Sequence, residues 1–120
     1  MTTTQVLGMN YGLAMADDHA ALARIDAGWV ADEAVMAALY CFLRSPDDFL
    51  ATVRRGANTA GDSDSIACIA GGISGAYLGY RSLPREWMER LEKSDHLAGL
   101  AGRLEAARTA AFPAGTGGAS

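Results

Sequence analysis

Apolar residues recur at helical spacing through the middle of the chain. Val35, Leu39 and Leu43 fall on one stripe by i, i+4 spacing, Met36 and Tyr40 lie beside them, and Phe42 widens the face. This predicts a helix over Val30–Arg44 whose broad apolar arc is buried on most sides. A second start signal follows at once. Ser45 suits an N-cap, Pro46 the first helical position, and Asp47 and Asp48 the positive end of the helix dipole. That helix is expected to run to about Ala57, with Phe49, Leu50 and Val53 inward and Arg54 and Arg55 outward. Asn58 to Asp62 reads as a loop, and Asp64 or Ser65 opens a third helix reaching about Tyr80. Ser82-Leu83 is a short connection. Pro84 starts a helix with Trp87, Met88 and Leu91 as its core face, and Ser94 caps a last one with Leu97, Leu100 and Leu104 at i, i+3 and i+7. Towards the amino terminus the pattern is fainter. Met1 to Asn10 has no clear period, Asp17-Asp18 reads as a helix start, and Ala20 to Ile25 as a short helix broken by Asp26-Ala27-Gly28.

Composition narrows the class. Among 120 residues there are 24 Ala against 4 Val and 4 Ile, so the best helix former abounds and β-branched strand formers are scarce. The expected fold is all-α: a multi-helix orthogonal array forming a single domain over residues 1–112, with a disordered tail over 113–120. A net charge of −4 gives no basic footprint for nucleic acid. The longest apolar run, Ile66 to Tyr80, has 15 residues and is rich in glycine, which is short for a bilayer span. No basic residue precedes Arg24, as a secretory signal would require. Two cysteines make no disulfide framework, so a cytoplasmic protein with reduced thiols is expected. Cys41 and Cys68 lie in apolar helices and read as small buried hydrophobes; His19 and His96 read as surface residues.

One short segment carries chemistry. In Gly61-Asp62-Ser63-Asp64-Ser65, two carboxylates stand two residues apart at a loop-to-helix junction and a hydroxyl follows. Inside a helix, positions i and i+2 diverge, whereas at a junction both can meet at one point. An oxygen-only set suits a hard cation such as Mg²⁺ or Mn²⁺. The same residues are also the commonest helix caps, and spacing alone leaves both readings open. A calcium loop counted from Asp62 would need Gly and Glu where Ala67 and Ile73 stand. A nucleophilic Asp at a strand end would need a β-run, which Ala57-Asn58-Thr59-Ala60 is not. Beyond the acids, Gly71, Gly75 and Gly79 recur every four residues, with Ala67 one step before. Glycine inside a helix costs about 1 kcal/mol against alanine, so this face predicts close approach by another helix.

Four motifs then appear in order: Gly28-Trp29-Val30-Ala31-Asp32-Glu33-Ala34 followed by Ala37-Ala38-Leu39-Tyr40; the Asp47-Asp48-Phe49 helix entry; Asn58-Thr59-Ala60-Gly61-Asp62-Ser63-Asp64-Ser65 running into Ile66-Ala67-Cys68-Ile69-Ala70-Gly71; and Leu83-Pro84-Arg85-Glu86-Trp87. Over about Ala20 to Glu92 they resemble the carboxyl-terminal portion of the ADP-ribosylglycohydrolase family. The resemblance implies part of an all-helical hydrolase fold with a two-metal Mg²⁺ or Mn²⁺ site. It also implies removal of ADP-ribose from modified side chains such as arginine or serine, or cleavage of related ADP-ribose bonds. It places Asp62, Asp64 and Ser65 as metal ligands, and Asn58, Gly61 and Ser63 toward the substrate. Ser65 stands where the family usually has Thr and keeps the hydroxyl; Ala60 replaces a usual Gly.

The family's usual chain is more than twice as long. Its early motifs supply further metal-binding acids and a catalytic Glu with no counterpart here, so the catalytic residue stays unassigned. Asp17-Asp18 does not fill the gap, because Ala16 occupies the place of a Thr and the pair lies too close to Gly28-Trp29. The implied picture is a carboxyl-terminal piece holding part of the metal ligands. Its partners would be an ADP-ribosylated protein or an ADP-ribose-containing small molecule, together with a complementary amino-terminal segment. The competing expectations are a catalytically incomplete module that binds metal or ADP-ribose, and a fragment with an exposed core. Trp29 and Glu33 lie where the family places its substrate cleft, although Glu33 also fits a capping or solvated role. Arg54 and Arg55 fit either a phosphate contact or an exposed helix face.

Overall fold

The computed structural model describes Ala20, Leu22 and residues 30–115, and these contain helices and no strand. The all-α expectation holds. The chain divides into two compact units, Met1–Leu83 and Pro84–Ser120. The first contains α1 (Ala31–Leu43), α2 (Phe49–Ala57), α3 (Ser63–Leu78) and a 3-10 turn (Tyr80–Ser82). The second contains α4 (Arg85–Arg90) and α5 (Ser94–Ala111). No helix among the described residues is long and apolar enough to cross a membrane.

In the first unit, α3 packs against both α1 and α2. The core joins Ala34, Met36, Ala37, Ala38, Tyr40 and Cys41 of α1 to Ile66 and Ala70 of α3, with Ile69 and Ile73 beside them. Leu22 also belongs to it. Ala20 and Leu22 are both helical, and the rest of the Ala20–Ile25 expectation, with Asp17-Asp18, lies outside the described residues. Met36, Tyr40 and Phe42 of the expected face are buried, whereas Val35 and Leu43 are 43% and 42% exposed. Ala34, Ala37 and Ala38 join the same core, and small side chains let two helix backbones come close enough to exclude water.

The α1–α2 junction differs from expectation by one turn. Ser45 caps nothing: its carbonyl accepts from the Asp48 N–H (3.1 Å), which closes a turn over Pro46 and Asp47. Asp48 is the N-cap of α2, and its carboxylate accepts from the Ala51 N–H at 2.9 Å. Arg55 does not point outward. Its Nη1 donates to the Cys41 carbonyl (3.1 Å) and to Ser45 Oγ (3.2 Å). Cys41 lies in the last turn of α1, at the negative end of the helix dipole, where a cation is favoured. Arg54 stays exposed, as expected. Buried Thr52 completes the junction, with Oγ1 donating to the Ser45 carbonyl at 3.0 Å.

The glycine face of α3 meets neighbours unevenly. A Cβ on Gly71 would lie 3.4 Å from Val53 Cγ2 of α2, and one on Gly75 would lie 3.7 Å from Leu83 Cδ2. Gly79 ends the helix at φ +85, where side chains are strained, and its N–H reaches the Gly75 carbonyl at 2.8 Å. The tightest approach involves a glycine on the opposite helix. A Cβ on Gly56 of α2 would lie 2.9 Å from Ala67 Cα and 3.1 Å from Ala67 N.

The second unit departs most from expectation. Trp87 and Leu91 of the expected core face are 44% and 48% exposed. Leu97, Leu100 and Leu104 are 46%, 43% and 66% exposed, and no residue of α5 is buried. Lys93, in the left-handed region at φ 58, takes the N-cap place in front of α5, so Ser94 is its first residue and not its cap.

Candidate metal half-site

The Asp62–Ser65 segment is held between the end of α2 and the start of α3. Past Ala57 the chain folds back on α2. Asn58 Nδ2 donates to the Arg54 carbonyl (2.6 Å), and both Thr59 Oγ1 (3.1 Å) and the Thr59 N–H (3.4 Å) reach the Gly56 carbonyl. These bonds occupy carbonyls that the end of a helix leaves without partners. The chain then turns tightly at Asp62, whose φ −74 and ψ 66 with the Ser63 N–H on the Gly61 carbonyl (2.8 Å) form an inverse γ-turn. Helical bonding begins at once, with the Ile66 N–H on the Asp62 carbonyl at 3.1 Å.

Asp62 stands at the N-cap of α3, yet its side chain makes no capping hydrogen bond. The Asp64 carboxyl is held below its usual value of 3.8, first of all by the neighbouring Asp62 side chain. The backbone N–H groups of Ser65 and of Asp64 itself lower it further. Half-buried Asp62 and exposed Asp64 stand two residues apart at this turn, with half-buried Ser65 next in the chain.

This donor set suits a hard cation as part of a site. Two carboxylates and a nearby hydroxyl offer only oxygen, which Mg²⁺ and Mn²⁺ prefer. An octahedral ion needs six oxygens, and among the described residues no group of three or more His, Cys, Asp or Glu gathers to supply them. The remaining positions would fall to water, substrate or residues outside this set. Of the residues expected toward the substrate, Gly61 and Ser63 form the γ-turn, whereas the Asn58 amide nitrogen is committed to α2.

A family model described as ADP-ribosylglycohydrolase matches residues 3–113. The chain belongs to this family. Its relatives include the ADP-ribosylarginine hydrolase Tri1 of Serratia proteamaculans, 34% identical over 64% of this chain and 20% of that protein. The ADP-ribosylhydrolases ARH3 of Bos taurus and of Homo sapiens are each 38% identical, over 59% of this chain and 23% of theirs. The chain therefore spans about a fifth of the length of the curated relatives it matches. No solved structure matches it significantly.

Other candidate residues of this ADP-ribosylglycohydrolase chain fall in varied places. Glu33 is half-buried in the first turn of α1, where Asp32 Oδ1 accepts the Glu33 N–H at 3.0 Å. Trp29 and His19 lie outside the described residues, and His96 is exposed, as expected. Cys41 is buried as expected, but Cys68 is exposed, because position 68 of α3 turns away from the core that Ile66 and Ala70 join. One residue that packs behind the loop, Gly56, escaped notice in the sequence, and Arg55 was expected on an exposed helix face or a phosphate. The signal for Gly56 was present: a glycine inside α2 is as costly there as the glycines of α3, and so asks for the same kind of neighbour.

Proposed function

We propose that this chain supplies the metal-binding carboxyl-terminal part of an ADP-ribosylhydrolase that removes ADP-ribose from modified protein side chains. The Asp62–Asp64–Ser65 run at the loop-to-helix turn supports this reading, since it offers hard-oxygen donors at the positions that the family resemblance implies as metal ligands. Asp62, Asp64 and the Ser65 hydroxyl would hold Mg²⁺ or Mn²⁺ and would not themselves attack. A bound metal supplies Lewis-acid orientation of the ribose hydroxyls and of water. The two carboxylates also add negative charge near the ribose, which favours a developing oxocarbenium ion. The general acid or base would come from a complementary amino-terminal segment. The free thiols Cys41 and Cys68 fit a reducing, cytoplasmic setting.

Titration calorimetry of the whole chain with Mn²⁺ tests the proposal. The expected result is saturable binding that Asp62→Asn and Asp64→Asn abolish. Binding that survives both substitutions, or none in a chain shown to be folded, overturns the metal assignment. A second reading, a module that binds without turnover, is favoured by the two-carboxylate donor set among the described residues. Hydrolysis of ADP-ribosylarginine by the chain alone would exclude it.

A further inference from the structure

We infer that Gly56 is a positioning residue for the Asp62–Asp64–Ser65 loop, setting its place through direct backbone contact between α2 and the first turn of α3. The inference rests on the metal reading above for its ligand, though not for its geometry. Gly56 does two things at once. Its missing side chain lets α2 lie against the backbone of Ile66 and Ala67, where a Cβ would come within 2.9 Å of Ala67 Cα and 3.4 Å of the Ile66 carbonyl carbon. Backbone atoms in a helical turn cannot rotate aside, so any side chain here must push the helices apart. The Gly56 carbonyl also receives both donors of Thr59, which fixes the point where the loop leaves α2. The loop from Thr59 to Ser65 is thus anchored at both ends against one residue. At its far end, the Ile66 N–H is bonded to the carbonyl of Asp62 itself.

This anchoring matters because carboxylates on a loop hold a cation only as well as the loop holds them. Supporting contacts behind metal ligands are typically worth about 10–100-fold in affinity. The neighbouring contact at Gly71 differs in kind. There a Cβ would meet only the end of the Val53 side chain at 3.4 Å, two turns of α3 beyond the acids, and that side chain can shift by a few tenths of an ångström.

The test compares Gly56→Ala with Gly71→Ala in the whole chain, with two readouts. The first is Mn²⁺ affinity by calorimetry. The second is amide hydrogen exchange at Thr59, Ser63 and Ile66, referred to the Gly79 amide of the same sample so that a global loss of stability cancels. Gly56→Ala is expected to weaken Mn²⁺ binding about tenfold or more and to speed exchange at the three loop amides relative to Gly79. Gly71→Ala is expected to leave both at wild-type values. Wild-type values in Gly56→Ala, or equal shifts in the two variants, overturn the inference. Should Gly56→Ala fail to fold, Thr59→Val decides. It removes one donor from the Gly56 carbonyl without any clash, and unchanged exchange and affinity would sink the idea. If the wild-type chain takes up no Mn²⁺, the metal reading fails, and hydrogen exchange alone still decides whether Gly56 places the loop.

Discussion

Helices α3 and α5 are of similar length, 16 and 18 residues, and both show apolar residues at helical spacing. Their environments are opposite. Helix α3 buries Ile66, Ala70 and Ser74 and receives two neighbours across alanines and glycines. Helix α5 carries three leucines in register and buries nothing. The helix with the smaller side chains is the central one. Periodicity shows which face of a helix can be buried, whereas small residues show where another backbone comes close. The first kind of signal is indifferent to whether a partner is present; the second makes little sense without one.

The sharpest way to break this contrast is to truncate one apolar residue in each helix. Ile66→Ala removes a fully buried side chain and is expected to destabilise the chain by about 2–4 kcal/mol in urea unfolding. Leu100→Ala, at a position 43% exposed, is expected to cost no more than about 0.5 kcal/mol. Equal losses would mean that the leucines of α5 are packed after all. A smaller effect of opposite sign comes from Ser74, whose hydroxyl is buried on α3 with no hydrogen-bond partner among the described residues. An unmade hydrogen bond of this kind costs about 1–3 kcal/mol. Ser74→Ala is therefore expected to raise the thermal midpoint, and a lowered midpoint would show that the hydroxyl has a partner.

The same distinction explains which features the sequence reading captured. Helix existence was legible among the described residues, because prolines and period mark it locally, although Asp48 and Lys93 stand at the caps where Ser45 and Ser94 were expected. The Asp62-to-Ser65 junction was legible too, since a junction is a local event and the γ-turn only completes it. Burial was legible only in part: Met36, Tyr40, Cys41 and Phe42 are buried as expected, whereas Val35 and Leu43 of the expected stripe are exposed and Ala34, Ala37 and Ala38 are buried. Trp87 and Leu91 looked like core by size and are about half exposed. Arg55 was read as a solvated cation because nothing local reveals that the last turn of α1 ends beside it, where its Nη1 donates to the Cys41 carbonyl. Each of these depends on a contact between segments far apart in the chain, which no window of residues contains.

The two helices also hold their acids by different means, and pH separates them. On α5, Glu105 lies below its usual 4.5 because Arg108 donates to it and attracts it, with Arg108 Nε 3.0 Å from Glu105 Oε2. On α3, Asp64 lies below 3.8 because of the neighbouring Asp62 side chain and two backbone N–H groups, with no cation among the causes. For both groups the folded value is the lower one. The stability that each contributes is therefore present above the unfolded value and is lost as pH falls through the folded value, below 4.5 for Glu105 and below 3.8 for Asp64. Both side chains face water, so the effects on stability are small, and the carboxyl titrations followed by carbon NMR are the better readout. Salt distinguishes the causes, since at 1 M the screening length is only about 3 Å. Raising salt to that level is expected to move the Glu105 midpoint up toward its usual value and to leave the Asp64 midpoint nearly in place. Asp62→Ala is expected to do the reverse, raising Asp64 and leaving Glu105 alone. An Asp64 midpoint that salt shifts as far as Glu105, or that ignores Asp62→Ala, would mean that the Asp62 side chain is not what lowers Asp64.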